Sequence, residues 1–330
     1  MRFSRMIPIA GLFLAGTTYA SGPRCPDVEQ PPAPVCIATA HGLAYADTRE
    51  EAEVASRAIE ESAQRYAGHF GRAPVGTLIL SASFDPSAAR EFAKAHGLEF
   101  AQVWLPAKAK RAMTERAMRQ ARLDRARIRQ GLARMAAEDA TTLRHEVGHA
   151  MYAAMYWPDA IGTLQDRYGT PAPDWLDEAA AIAMEPPEAQ ASHLAAFIGV
   201  ARQRPREIPG LASFLASEHP VRGAGLASAL ARGPKSDSGV QMMVTSGSFP
   251  GLETFYGQSL LTGLFLAETS GNPQILAPIS RAIADGLDFD AWLARDGTSF
   301  GLPSTVVELE PLWDNWLRQQ VLRRTGDSAR

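Results

Sequence analysis

The chain has 330 residues, of which 46% are apolar and 21% charged, so it can bury a core and disorder is excluded as its default state. The formal net charge of −3 and the pI near 6.2 exclude a global electrostatic attraction to nucleic acid or to an anionic membrane as the main mode of binding. Any basic surface must be local.

Residues 1–20 predict an export signal. Arg2 and Arg5 precede an apolar stretch over residues 7–16, and Thr18-Tyr19-Ala20 has small side chains at the positions that a signal peptidase reads. We therefore expect the mature protein to be periplasmic or secreted. We also expect no membrane span in it, because no later apolar run approaches about 18 residues.

Residues 21–40 form a proline-rich segment that contains the two cysteines of the chain, Cys25 and Cys36. A close pair of cysteines in an exported protein predicts a disulfide, since the compartment is oxidising. We place the main domain at residues 41–325.

The beginning of that domain predicts alternating helices and strands. Helical spacing of apolar residues predicts a helix over residues 48–70, closed by Gly71 and Pro74. A strand over residues 75–83, a helix over 86–96 and a strand over 100–105 follow. These elements predict a small α+β layer.

Residues 108–134 carry ten basic and two acidic residues, with apolar residues interleaved at helical spacing. The pattern predicts one long amphipathic helix. Its basic face has two interpretations: a solvated surface above a core stripe, or a rim that attracts an anionic substrate.

The rest of the chain predicts helices, with breaks at Pro158, residues 169–173, Pro186, residues 271–273 and Gly286. Residues 220–251 are rich in glycine and serine and predict a long loop, either a mobile lid or a surface excursion. The fold class is therefore α+β and mainly helical.

Residues 145–149 read His-Glu-Val-Gly-His, the HExxH pattern. A helix places His145 and His149 one turn apart on the same face, where both imidazoles can reach one Zn²⁺. Glu146 then points towards the open position of the metal, where it can take the proton of a bound water as a general base.

A catalytic zinc needs a third protein ligand. Residues 173–178 read Pro-Asp-Trp-Leu-Asp-Glu, and a helix that begins at Pro173 would present Glu178 from its second turn. Its rivals as ligand are Asp174, Asp177 and Asp166.

The HExxH pattern followed by Pro-x-Trp-Leu-x-Glu resembles the gluzincin zinc metallopeptidases, specifically the peptidase MA-like group. The resemblance covers residues 140–316 and includes Tyr256-Gly257-Gln258-Ser259. It implies a zincin-like fold with a small N-terminal sheet, an active-site helix and a helical C-terminal half. It also implies His145, His149 and Glu178 as zinc ligands, and a tyrosine beside the metal at position 256.

We therefore expect a zinc metallopeptidase that acts on a peptide or protein substrate and binds no nucleic acid. Tyr256 either donates a hydrogen bond to the oxyanion or is a core tyrosine. The strand over residues 100–105 offers an edge with which an extended peptide can pair. The alternative is a non-catalytic, chaperone-like envelope protein that binds zinc for structure. Only the enzyme needs an open coordination position.

Overall fold

The computed structural model describes residues 22–160, 170–221 and 251–325. The predicted export signal, the reserve ligand Asp166 and most of the predicted loop over residues 220–251 lie outside the described residues.

The described residues form a four-stranded sheet in the order β1–β2–β3–β4. Its strands are β1 (Val35–Ala38), β2 (Gly42–Ala46), β3 (Gly76–Leu80) and β4 (Phe100–Trp104). β1 pairs antiparallel with β2, and the other two pairs are parallel. β4 therefore lies at an edge. The sequence predicted β3 and β4, but it did not predict β1 and β2, which meet at the turn where we placed the start of the main domain.

Two helices cover opposite faces of this sheet. α1 (Arg49–Phe70) packs on one face, and α2 (Pro86–Ala95) packs on the other. Side chains alternate along β2 and β3, so that Ala44 and Leu78 join the cluster of α1 while Tyr45 joins that of α2. Burial on both faces explains why β2 is apolar throughout and shows no polar alternation.

The basic segment over residues 108–134 is not one helix, so that prediction was wrong. α3 (Ala107–Gln120) ends, and α4 (Arg125–Tyr156) begins after a short turn. Arg122 takes a positive φ of 57° in this turn, and the Asp124 carboxylate caps α4 by accepting hydrogen bonds from the backbone N–H groups of Ala126 and Arg127. α4 then continues for 32 residues, through the HExxH pattern.

The C-terminal half of the described chain is helical. Its helices are α5 (Asp174–Ile182), α6 (Pro187–Gln203), α7 (Leu211–Leu215), α8 (Leu252–Ser270), α9 (Leu276–Ala284), α10 (Phe289–Asp296) and α11 (Val306–Thr325). The predicted breaks are confirmed at Pro158, Pro173, Pro186, Gly271 and Gly286. α5 lies between α4 and α8, and α8 also packs against α6. The α+β, mainly helical fold class is thus confirmed in its coarse form.

The predicted Cys25–Cys36 disulfide is present, and it ties the proline-rich segment to β1. Among the described helices, none combines the length and the apolar character that a bilayer crossing requires.

Candidate metal centre

A close contact between two helices assembles the candidate centre. A Cβ atom added to Gly148 of α4 would lie 2.8 Å from the Cα atom of Ala181 and 2.9 Å from the Cγ atom of Met184. Glycine at this position therefore lets α4 and α5 approach each other at the backbone. Because Glu178 precedes Ala181 by one turn, the contact brings its side chain beside the two histidines of α4.

The ligating atoms of His145, His149 and Glu178 all lie within 4.8 Å of one another. The two Nε2 atoms are 3.1 Å apart, and the Glu178 carboxylate oxygens lie 3.4 Å from Nε2 of His145 and 3.7 Å from Nε2 of His149. Ligands held about 2.0 to 2.1 Å from a tetrahedral ion are separated by about 3.4 Å. The three predicted ligands therefore have the spacing that a metal ion requires.

Both histidines are oriented by carboxylates behind them. Nδ1 of His145 lies 2.8 Å from Oε1 of Glu185, and Nδ1 of His149 lies 2.8 Å from Oδ1 of Asp177. A carboxylate at Nδ1 favours the tautomer that carries its proton there, which directs the Nε2 lone pair towards the centre. The arrangement is typical of histidines that bind a metal.

The carboxylates give the centre a strongly negative electrostatic environment. Burial alone would lower the pKa of His149, but the charge and hydrogen bond of Asp177 and the charge of Glu178 outweigh burial and raise this pKa to about 9. The pKa of His145 is likewise raised well above its usual value, because hydrogen bonds to Glu178 and Glu185 outweigh its burial. Burial opposes ionisation of Glu178, yet the His145 hydrogen bond and the histidine charges lower its pKa to about 2. Such a cluster stabilises positive charge.

The donor set fits a divalent cation. Glu178 is 1% exposed and His145 is 7% exposed, so a cation here would be largely removed from water. Two imidazoles and one carboxylate provide three ligands, which leaves room for a further ligand from solvent or substrate. His145, His149 and Glu178 are therefore the residues that could hold a metal ion.

Glu146 is partly buried, follows the candidate ligand His145 in α4, and lines a groove of about 860 Å³. β4, α3 and α4 line this groove, and Glu146 is the lining residue of α4 nearest its C-terminus. A carboxylate adjacent to the first ligand in sequence thus reaches space that is open to a substrate.

Three further side chains surround the cluster. The ring centroid of Tyr256, in the first half of α8, lies 5.8 Å from that of His145. The Tyr256 centroid also lies 5.4 Å from His193 and 5.7 Å from His219. Nε2 of His219 is 3.6 Å from Oε1 of Glu178. Tyr256 is therefore beside the centre, as the resemblance implied, and so are His193 and His219.

The two rival ligands within the described residues, Asp174 and Asp177, make other contacts. Asp177 supports His149, as described above, and Oδ2 of Asp174 accepts a hydrogen bond of 2.6 Å from the backbone N–H of His219. Sequence reasoning missed Glu185, whose second oxygen lies 2.9 Å from Nε2 of His193. Glu185 lies in the bend between α5 and α6, so helical spacing gives no signal for it.

Comparisons of the chain with family models, with curated proteins and with solved structures find no match.

Proposed function

We propose that this chain is an exported zinc metallopeptidase with a zincin-like fold, in which Glu146 acts as the general base. The observation that carries the proposal is the spacing of His145, His149 and Glu178, combined with a glutamate that follows His145 in sequence and lines a groove. The Cys25–Cys36 disulfide supports export, because such pairs persist in oxidising compartments.

Zinc is the metal that this donor set favours. Two imidazoles and one carboxylate form a known catalytic zinc environment, whereas magnesium and calcium prefer sites made of oxygen ligands. The carboxylates of Glu185 and Asp177 behind the two histidines hold the Nδ1 protons, which leaves the Nε2 atoms to bind a metal.

The proposed reaction is hydrolysis of a peptide bond. A zinc ion in the centre would polarise the scissile carbonyl and lower the pKa of a bound water to about 7. Glu146 accepts a proton from the attacking water and delivers it to the leaving amine as the C–N bond breaks. The Tyr256 hydroxyl donates a hydrogen bond to the oxyanion that develops on the carbonyl.

The edge of the sheet supports a peptide as the substrate. Gln102, Val103 and Trp104 of β4 line the groove that contains Glu146. An extended peptide could add to this edge through its main chain, so that its scissile bond lies near the metal.

The test is hydrolysis of a random peptide library by zinc-loaded protein, read by mass spectrometry. We expect cleavage by the wild type, its loss with a chelator, and its recovery with added zinc. Glu146→Gln should retain zinc and lose about 10² to 10⁴ in rate, because it removes the base but no metal ligand. Glu91→Gln, an exposed glutamate on α2, is the matched control and should cleave as the wild type does.

Tyr256→Phe tests the proposed oxyanion donor in the same experiment. Loss of one oxyanion donor costs about 10² to 10³ in rate, so cleavage should be slow but measurable. If Glu146→Gln cleaves as fast as the wild type at equal zinc content, the mechanism is wrong. If no variant cleaves while zinc stays bound, a non-catalytic zinc-binding envelope protein replaces the peptidase.

A further inference from the structure

The groove beside Glu146 extends far beyond the metal centre. Nine residues of α4 line it at helical spacing: Arg127, Gln130, Gly131, Arg134, Met135, Glu138, Asp139, Thr142 and Glu146. At about 1.5 Å per residue, the lining runs for about 28 Å along the helix. α3 and β4 provide the other walls.

Charge changes along the groove. Its end near the metal carries the carboxylates of Glu138 and Glu146, and its far end carries the exposed guanidinium groups of Arg134 and Arg127. Arg127 also approaches Asp124 at 3.6 Å, but both groups are solvated, so this pair contributes little.

A buried ion pair lies within the acidic end of the groove, since Asp139 follows Glu138 along α4. Lys110 of α3 is 6% exposed, its ammonium group pairs with the carboxylate of Asp139, and it lies 3.5 Å from the centroid of the Trp104 ring. This contact offsets the charge of Asp139 and links both helices to β4. The net positive character of the far end therefore comes from its arginines.

We propose that the groove is an extended subsite for peptide substrates that carry acidic side chains at a distance from the scissile bond. This inference rests on the proposed peptidase function and names its substrate class. Arg134 and Arg127 lie about 18 Å and 28 Å from Glu146 along the helix axis. An extended peptide advances about 3.3 Å per residue, so acidic residues are favoured about five to eight residues from the scissile bond. Beside the scissile bond, Glu146 repels them.

The test uses peptide libraries with a random core and glutamine flanks. In two further libraries, glutamates replace the glutamines that lie about five to eight residues from the core. The replacement is on the amino-terminal side in one library and on the carboxyl-terminal side in the other. At low ionic strength, glutamates on one side should raise kcat/KM of the zinc-loaded protein by about 3- to 10-fold, as expected for two exposed ion pairs. The effect should be confined to one side, because the groove leaves the centre in one direction.

Charge reversal identifies the residues responsible. Arg127→Glu/Arg134→Glu should abolish the preference for glutamate. Arg125→Glu/Arg129→Glu is the matched control, since these exposed arginines of α4 lie outside the groove lining and the net charge changes equally. The control should retain the preference.

A binding measurement separates this inference from the proposed function. A fluorescein-labelled peptide with glutamates in the favoured flank should bind zinc-loaded Glu146→Gln more tightly than its glutamine counterpart, and the difference should require Arg127 and Arg134. If such binding is seen without any cleavage by the wild type, the groove assignment stands and the peptidase fails.

Two results would overturn the subsite. One is the absence of any preference for glutamate in both cleavage and binding. The other is an equal loss of that preference in both double variants, which would indicate a diffuse basic surface. If phosphatidylglycerol vesicles bind the wild type and neither double variant, while the peptides show no preference, the basic helices serve a membrane instead.

Discussion

The two ends of α4 differ although they belong to one continuous helix. Around residues 143–156, most side chains are buried, and α1, α5 and β4 are among the elements that pack against the helix. Around residues 125–140, most side chains are exposed, and α3 lies alongside. The buried end contains two of the three candidate metal ligands, His145 and His149, and the exposed end provides most of the groove lining on this helix.

Under the proposed function, one helix would provide catalytic residues at its buried end and substrate contacts at its exposed end. Carboxylates at the buried end lie within hydrogen-bonding distance of the histidines, where low solvent exposure makes each charge effective and fixes its geometry. Arginines at the open end are screened by water, so each ion pair contributes little binding energy, but each arginine tolerates varied partners. Substitutions at the buried end should therefore have larger effects than those at the open end.

The largest effect of a substitution near the buried end should be on the affinity for a metal ion. Glu185→Gln keeps the size of the side chain but removes the charge that holds Nδ1 of His145. Loss of such a supporting carboxylate typically weakens metal binding by about 10- to 100-fold. We expect this shift in a competition titration with a chromophoric chelator.

Glu188→Gln, on the exposed first turn of α6, is the control and should leave the affinity unchanged. An unaltered affinity in Glu185→Gln would show that this carboxylate does not orient His145.

Substitutions of two glycines of α4 should differ by a smaller amount, measured as the free energy of unfolding. A Cβ atom on Gly148 would meet the backbone of α5, whereas one on Gly131 would meet the flexible methyl end of Met118 at 2.2 Å. Gly148→Ala should therefore lower the free energy of unfolding by about 1 to 3 kcal/mol through overpacking. Gly131→Ala should be neutral or stabilising by up to about 1 kcal/mol, because alanine favours the helix and Met118 can move.

Urea denaturation of the metal-free variants measures both values. Equal destabilisation by the two substitutions would contradict the difference in packing that we assign to the two ends.

The sequence predicted the parts of the molecule that depend on local patterns. Caps and breakers located most helix boundaries, and the HExxH pattern with Glu178 located the cluster of potential ligands. β1 and β2 were missed because they are short, and β2 is apolar on both faces, so neither gives a clear alternating pattern. The turn between α3 and α4 was missed because apolar spacing continues across it, and the cap at Asp124 was its main signal.

The surroundings of the cluster could not be predicted in the same way. His219 and Glu185 come near the ligands through the packing of α5, α6 and α8, which joins residues that are far apart in sequence. A single buried histidine has no sequence pattern that separates it from a packing residue. The role of Tyr256 likewise remains a prediction from the resemblance, although its ring lies beside His145.

The central claim is that His145, His149 and Glu178 bind one metal ion, and the metal content of purified variants tests it most directly. Elemental analysis by mass spectrometry should find about one zinc per chain in the wild type and in His96→Ala, whose histidine is exposed. His149→Ala and Glu178→Ala should lose the metal while retaining the helical circular dichroism spectrum. A full zinc complement in folded Glu178→Ala would contradict the assignment and move the third ligand to Asp174, Asp177 or Asp166.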